Sequence, residues 1–356
     1  MKKIAIIHNL SSGGAVRVLE ETNKLISRKY RTKIFSPPKK NSNINNSLKN
    51  VWNYLFYVYK TLPDYYRRIS REINEGGYHA AIVHPDTYLK APFVLLYLKI
   101  KSIYILHEPP REFYEPYFLH APLIKDKLFS IIRIPIAILD KFSSKKSSYV
   151  VVNSKFSKNK IDKIYGVKSK IIYPGFTPKL IKTRGNIMRK PFCLSIGSLL
   201  PYKGHELTIK AIGMMPKKPQ FVVVGSGRMI EKNKLRGLAR KKGVKLCIFE
   251  KVSDKELNEL YLSAMVYINS AYQEPFGLTS LEALCSGENL VTVDECGTQE
   301  LKKYFGGKVE VVNRTPKSLS DGIIKMIKEK NSIPQQPDVF KWNYYVGELG
   351  KLIEND

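Results

Sequence analysis

Residues 274–287 read EPFGLTSLEALCSG, from Glu274 to Gly287. The run before them, AMVYINS at Ala264 to Ser270, is apolar and of strand length. After the Pro-Phe-Gly turn, Leu278, Leu281 and Leu284 recur at the spacing of one helix face. Strand, turn and helix follow one another, with Glu274 in the loop and Glu282, eight positions on, on the helix. A helix that begins near Gly277 leaves its first backbone N–H groups without partners and carries a partial positive charge there, which suits a phosphate. The small residues Gly277, Thr279 and Ser280 let a ligand come close. The same residues also describe an ordinary helix start, in which Glu282 complements the helix dipole and Glu274 is a solvated loop charge.

Similar units lie on either side. FCLSIGSLLPYKG (Phe192 to Gly204) is a strand, a turn and Lys203 ahead of a helical stretch, and QFVVVGSG (Gln220 to Gly227) is a buried strand ending in glycines. Strands alternate with helical stretches throughout the 356 residues, which are 43% apolar and sufficient for two domains with their own cores. The pattern predicts two doubly wound, Rossmann-like α/β domains with largely parallel sheets facing a central cleft, and ligands beyond the carboxyl ends of the strands. FTPKLIKTRGNIMRKP, Phe176 to Pro191, is polar, basic and flanked by prolines, and it reads as the linker. After Pro337, the residues Phe340, Tyr344, Leu349 and Leu352 have a helix-compatible spacing.

Composition narrows the function classes. Cys193, Cys247, Cys285 and Cys296 are far apart with no CxxC pair, which reads as free thiols, no disulfides and a cytoplasmic protein. The opening MKKIAIIHNL reads as a first strand rather than a leader. LFSIIRIPIAIL, Leu128 to Leu139, is shorter than a membrane span of about 20 residues and contains Arg133 and Pro135. Neither a DxD-type metal site nor a histidine cluster is evident. No GxxxxGK[ST] is present, and the GSG at Gly225 to Gly227 has Ile230 where a dinucleotide fingerprint needs a third glycine.

The formal charge is +29, and residues 1–176 hold 31 of the basic and 12 of the acidic residues, or +19 of it. No basic heptads, zinc-finger spacing or RNP-like aromatic pattern accompany that charge, so nucleic acid is not expected as a partner. Aromatic and basic residues mix in VWNYLFYVYKTLPDYYRRI (Val51 to Ile69) and in LFSIIRIPIAILDKFSSKK (Leu128 to Lys146). Such segments suit peripheral docking on an anionic membrane surface, and they equally suit amphipathic helices that cover the first sheet.

Taken in order, these segments resemble glycosyltransferase family 4, the retaining nucleotide-sugar transferases of GT-B fold. The resemblance includes GGAVRVLEE (Gly13 to Glu21), YILHEPPREFYE (Tyr104 to Glu115), VVVNSKFSKNKI (Val150 to Ile161), YPG (Tyr173 to Gly175), VKLCIFEKVSDKELNELY (Val244 to Tyr261) and ENLVTVDECGTQEL (Glu288 to Leu301), and it covers nearly the whole chain. It implies an acceptor-side domain at 1–176, a linker at 177–190, a nucleotide-sugar domain at 191–337, and a helix within 338–356 that crosses back to the first domain. It also implies transfer of a hexose, from a GDP-mannose or UDP-glucose type of donor, to a glycan or lipid-linked acceptor without a metal or other cofactor.

By resemblance Glu274 contacts donor-sugar hydroxyls, Glu282 accepts from the ribose, and Gly277, Leu278 and Thr279 offer backbone N–H groups to the diphosphate. Lys203 stabilises the leaving phosphate. Val252 lies where the family holds the base through its backbone. His107 stands near the reacting sugar in an HEPPR run similar to the HxPPR of some mannosyltransferases, and Glu108 and Arg111 are acceptor contacts. Gly13 and Gly14 bring the first loop to the donor phosphate or the acceptor, although a plain strand-to-helix turn also needs glycine. Alone, Lys203 is an ordinary turn lysine and His107 an ordinary structural histidine.

Two departures stand out. Ser198 occupies the place of the family's phosphate-binding Arg. Past the second carboxylate the chain has Gly287-Glu288-Asn289 and Cys296-Gly297-Thr298-Gln299-Glu300 where the family has a GTP-like tripeptide and paired glycines. Ser198 leaves open weaker diphosphate binding, compensation by a cation such as Arg228, or an inactive sugar- or lipid-binding protein of the same fold. Retention of Glu274, Glu282, Lys203 and His107 favours the enzyme.

Overall fold

A computed structural model of the chain describes residues 1–10, 13–38, 48–115, 133–176 and 189–355. Most of the expected linker, and the first part of the Leu128 to Lys146 segment, lie outside the described residues. The chain divides into two compact units. One holds Met1–Glu115, the described residues that follow as far as Gly175, and the segment from Trp342; the other is Phe176–Lys341.

In the first unit β1 (Lys3–Asn9), β2 (Arg31–Phe35), β3 (Ala80–Asp86), β4 (Lys101–Ile105), β5 (Tyr149–Val152) and β6 (Lys170–Ile171) form one sheet. Its order is β2-β1-β3-β4-β5-β6, and every pairing is parallel. The central strands read as continuous apolar runs because both faces of a parallel sheet are covered. On one face Ala5, Ile7, Ala81, Val83, Tyr104 and Val150 pack with Tyr54, Tyr57, Val58, Leu62 and Ile136. That face therefore carries the helices Leu48–Phe56, Leu62–Glu75 and Ile134–Ser144. A π-helical turn, Tyr57–Thr61, joins the first two, directly before Pro63, which has no N–H to continue the helical ladder.

The helix Trp342–Glu354 packs within this first unit, against the helix Gly14–Ile26 and β4. Tyr30 Oη donates to Glu354 Oε1 at 2.7 Å, and His79 Nε2 lies 3.1 Å from the Ile353 carbonyl. Gly175 is needed here, since a Cβ would sit 2.5 Å from the Trp342 backbone nitrogen. The crossing-back helix is as the sequence predicts, but its inner face is not. Phe340 belongs to a short 3-10 turn ahead of the helix and packs on Phe276, Tyr304 and Phe305 of the second unit. Tyr344 is exposed, while Trp342, Tyr345, Leu349 and Leu352 are buried. The expected stripe counts Phe340 as helical, whereas the helix begins at Trp342 and its own inner stripe runs through Tyr345.

The second unit repeats the plan. β7 (Phe192–Ile196), β8 (Gln220–Val224), β9 (Leu246–Phe249), β10 (Val266–Asn269), β11 (Asn289–Val293) and β12 (Val309–Val312) pair in the order β12-β11-β10-β7-β8-β9, all parallel. Its core includes Cys193, Ile209, Ile212, Phe221, Leu235, Ile268, Val291 and Ile323. In each sheet the chain winds outward from its first strand and then returns to that strand's other side. The pairs β1/β3 and β7/β10 thus flank a switch point, where the carboxyl ends diverge into a crevice that suits ligands. All four cysteines are free, and among the described residues no helix is long and apolar enough to cross a membrane.

Candidate active site

At the switch point of the second sheet, the loops after β7 and β10 are drawn together. The β7 exit runs through Gly197 and Ser198 into a 3-10 turn, Pro201–Lys203, and then Gly204, whose φ is 77°. A Cβ on Gly204 would lie 2.1 Å from the Ser270 carbonyl oxygen, so both the dihedral and the approach to the β10 exit require glycine. Tyr272 N donates to the Tyr202 carbonyl at 2.6 Å. The outcome is an ion pair, Lys203 Nζ to Glu274 Oε2 at 2.6 Å, with both side chains mostly buried. A cavity of about 20 Å³ lies among Ser195, His205, Tyr267, Asn269 and Thr279, with Lys203 and Glu274 in its wall. That is room for about one water.

The helix Leu278–Cys285 follows, with Gly277 at its N-cap in the left-handed region and no side-chain cap. Asn269 Nδ2 donates to Thr298 Oγ1 and Ser280 Oγ at 2.9 and 3.1 Å, holding this helix start to the end of β10. Thr279 Oγ1 accepts from Tyr267 Oη at 2.8 Å. Glu282 is buried and accepts from Tyr261 Oη at 2.8 Å. One carboxylate thus faces a lysine and the other a phenol. Leu278 is half-buried at the first helical position, and Val252 is half-buried in the loop beyond β9, the sheet's edge strand.

Ser198 Oγ is buried without a partner, but its carbonyl lies 3.1 Å from His205 Nε2. Burial pushes the fully enclosed His205 down to about 4, so the ring is neutral and donates from Nε2. This histidine, adjacent to the KG dipeptide, positions the β7 exit; the sequence reading passed over it. Arg228 stands at the N-cap of the helix Met229–Lys242, two strands from β10, and is engaged by Glu231 Oε1 at 2.5 and 2.8 Å.

In the first unit the residues singled out from the sequence also gather at carboxyl ends. Gly13, with φ 94°, is the N-cap of the helix Gly14–Ile26, which has no side-chain cap and no acidic residue in its first turn. His107 follows β4. Burial holds it down to about 4, Glu108 opposing and Lys90 adding to the shift, so it too is neutral at ordinary pH. Glu108 and Arg111 lie in a network: Lys90 Nζ to Glu108 Oε1 at 3.3 Å, Arg111 Nε to Glu108 Oε2 at 2.6 Å, Arg111 Nη1 to Glu115 Oε2 at 3.1 Å, and Lys160 Nζ to Glu115 Oε1 at 2.5 Å. Arg111 is buried, and its guanidinium ties two carboxylates together.

Three histidines share one face of this sheet, which the sequence reading did not anticipate. Ala5 and Ile7, Ala81 and Val83, Tyr104 and Leu106 face the core described above. By alternation His8 on β1, His84 on β3 and His107, two residues past β4, face the other way. His84 is fully buried with neither ring nitrogen bonded; burial, with His107 and His8 close by, keeps it neutral well below the usual imidazole range. Among the described residues no group of three or more His, Cys, Asp or Glu is arranged to hold a metal ion.

Two six-stranded parallel sheets, each with polar side chains gathered at its switch point, define a protein of two doubly wound Rossmann-like units. The family is more specific. The profile described as glycosyl transferases group 1 matches residues 176–339, and that described as Glycosyltransferase Family 4 matches residues 11–180, so the chain belongs to the group 1, family 4 glycosyltransferases. An uncharacterised glycosyltransferase of Methanocaldococcus jannaschii is 28% identical over 217 residues, 54% of this chain and 54% of that protein. Mannosylfructose-phosphate synthase of Agrobacterium fabrum is 28% identical over 148 residues, 35% of this chain and 32% of that one. The chain spans about half the length of the first curated relatives it matches. Among solved structures, Anabaena HepE in complex with UDP and glucose superposes with a TM-score of 0.71 at 17% identity, covering 100% of both chains. That likeness shows the GT-B fold.

Proposed function

We propose that the chain is a retaining glycosyltransferase that moves a hexose from a nucleoside diphosphate sugar to a glycan or lipid-linked acceptor, on the cytoplasmic side of an anionic membrane surface. The observation that carries this reading is the Lys203–Glu274 pair beside the uncapped start of the helix Leu278–Cys285, at a parallel-sheet switch point. As the bond from the sugar to the phosphate breaks, negative charge grows on the leaving diphosphate. The backbone N–H groups of Gly277, Leu278 and Thr279, and the Lys203 ammonium, are the groups proposed to receive it. Glu274, acceptor-only when ionised, takes sugar hydroxyls, and Glu282 takes those of the ribose. The neutral His107 offers the sugar a hydrogen bond without adding charge. No protein nucleophile is needed for a front-face displacement, in which the acceptor oxygen bonds the anomeric carbon and its proton passes to the departing phosphate.

Gly14 and the uncapped helix behind it are proposed to approach the donor phosphate, and Gly13 the acceptor. For Glu108 and Arg111 the ion-pair network supports a positioning role on the acceptor side. The GDP-mannose and UDP-glucose alternatives each have support: HEPPR and the Agrobacterium synthase for mannose, the UDP and glucose of the Anabaena complex for glucose. Thermal-shift measurements with UDP, GDP, their sugar conjugates and NAD test the reading, repeated on Glu282→Ala and Lys203→Ala. One nucleotide is expected to stabilise the protein, and both variants to lose the effect. No shift at any concentration would favour a binding protein that kept the fold, with Ser198 as the first residue to restore to Arg.

A further inference from the structure

Two helices in the layer that covers one face of the first sheet turn large apolar side chains outward. On the helix Ile134–Ser144, Ile134, Ile138 and Phe142 are 50, 67 and 55% exposed and follow one another at four-residue spacing. On the helix Leu48–Phe56, Trp52 and Phe56 are 71 and 66% exposed at the same spacing, and Tyr59 continues their line. These are not frayed or loosely held elements. The opposite faces of the same helices, through Tyr54 and Ile136, and Tyr57 and Val58 of the π-helical turn are buried in one core against β1, β3, β4 and β5. Both exposed stripes therefore point away from the same sheet face. The helices are also neighbours: Tyr88 packs its ring on Tyr54 and Tyr57, and its carbonyl accepts from Arg133 Nη2 at 3.0 Å.

Charge says what kind of surface such a patch fits. Lys141 is exposed on the same helix and Lys145 and Lys146 just past its end, and Lys146 lies over the Phe142 ring. The one acid of that helix, Asp140, is turned inward, where it accepts from Ala91 N at 2.8 Å and from Tyr165 Oη. Among the described residues, the outward sides of these two helices thus combine aliphatic and aromatic groups with cations and present no carboxylate, on the unit whose residues carry most of the surplus positive charge. A protein partner with an apolar groove would match the stripe but not the lysines. An anionic bilayer matches both, with apolar side chains below the headgroups and ammonium groups level with them.

We propose that this face, Trp52, Phe56, Ile134, Ile138 and Phe142 with Lys141, Lys145 and Lys146, docks the protein on an anionic lipid surface. It deepens the membrane part of the proposed function and rests on that reading, yet it can be tested apart from it. The chain contains two tryptophans, and Trp342 is buried, so a change in emission on adding vesicles reports Trp52. The full chain is mixed with vesicles of phosphatidylcholine alone, or of phosphatidylcholine with phosphatidylglycerol, and followed by fluorescence and cosedimentation. A blue shift and sedimentation are expected with the anionic vesicles only, reversed by high salt. Trp52→Phe should abolish the shift. Ile138→Ser with Phe142→Ser should weaken binding by roughly a hundredfold, and each of Lys141, Lys145 and Lys146 changed to Gln by about fivefold.

All of these positions are exposed, so the variants should keep the wild-type thermal transition and nucleotide-induced stabilisation in vesicle-free buffer. That control separates failure of the docking face from failure of the transferase reading. Equal binding of wild type and the Ile138→Ser, Phe142→Ser variant would overturn the proposal, as would absence of binding to anionic vesicles. Self-association that disappears in the same variant would also overturn it, by assigning the stripe to a second copy of the chain.

Discussion

Replacing Glu274 by Gln should make the protein bind a bare nucleoside diphosphate more tightly, although Glu274 is itself proposed as a donor contact. Lys203 already has a partner: its ammonium is held by Glu274 at 2.6 Å, and the two side chains are only 22 and 16% exposed. A hydrogen bond to a charged group in such surroundings nets about 1.5–3 kcal/mol. A phosphate that recruits Lys203 must displace that partner or share it. The amide of Gln keeps the size and an acceptor oxygen but removes the charge, so much of this opposing energy disappears; taking the lower figure, affinity for UDP or GDP should rise about tenfold. Lys203→Ala works in the opposite direction, removing the cation and leaving a carboxylate facing the phosphates, with a loss of at least about tenfold. Isothermal titration at low and high ionic strength measures both. A second reading follows from the sugar: in Glu274→Gln the sugar nucleotide should lose its advantage over the bare diphosphate. If Glu274→Gln weakens the bare diphosphate, or Lys203→Ala leaves it unchanged, the pair is a structural clasp and the phosphate lies elsewhere.

Protonation and packing supply three more tests. Asp140 is buried and pushed up to about 7 by desolvation, which its hydrogen bonds only partly offset. Its folded pKa lies above the unfolded one, so its own contribution to stability is complete below about pH 4 and falls as pH rises through 7; Asp140→Asn should remove that component, worth up to about 4 kcal/mol at pH 8, from denaturation curves across pH. His107 and His205 are held down to about 4, the opposite sign, so their neutral burial stabilises the fold above the ordinary imidazole range and is lost as pH drops from about 6.5 toward 4. The ring-proton NMR signals of both should therefore stay fixed between about pH 8 and about pH 5.5, and titration of His107 near 6.5 would refute a neutral hydrogen-bonding role. Gly204→Ala forces a Cβ to within 2.1 Å of the Ser270 carbonyl oxygen at a φ of 77°. It should cost about 2–4 kcal/mol of stability and, by shifting the turn that carries Lys203, weaken nucleotide binding more than Gly13→Ala, where nothing lies within 4 Å.

Much of the fold was legible because parallel strands buried on both faces announce themselves as unbroken apolar runs, such as AAIVH and QFVVV, the second with glycine at its exit. The helix after Gly277 was legible for the same reason, its leucine stripe and its cap being local. Features that depend on strand order were not. Lys203 and Glu274 are 71 positions apart, and they meet because β10 returns to the far side of β7. His8, His84 and His107 line up only once β1, β3 and β4 are known to be neighbours and their alternation is counted from the core. Arg111 was expected as an acceptor contact through resemblance alone; its partners Glu108 and Glu115 are local, yet Lys160, which completes the network, arrives from another helix. At the C-terminal helix a stripe counted from Phe340, which lies outside the helix, selected Tyr344, whereas Trp342, Tyr345, Leu349 and Leu352 follow the 3.6-residue period of the buried face.

The helix Trp342–Glu354 belongs to the unit that begins at Met1, with residues 176–341 of the other unit between them. Order of synthesis then becomes a physical constraint. A ribosome adding about 5–20 residues per second needs roughly 10–30 s to make those intervening residues. Through that interval the first unit lacks the helix that packs on Gly14–Ile26 and β4, while the second unit, uninterrupted in the chain, can close on its own. Folding from the ribosome should therefore run second unit first, leaving the amino-terminal half as a client for chaperones until the last turns emerge.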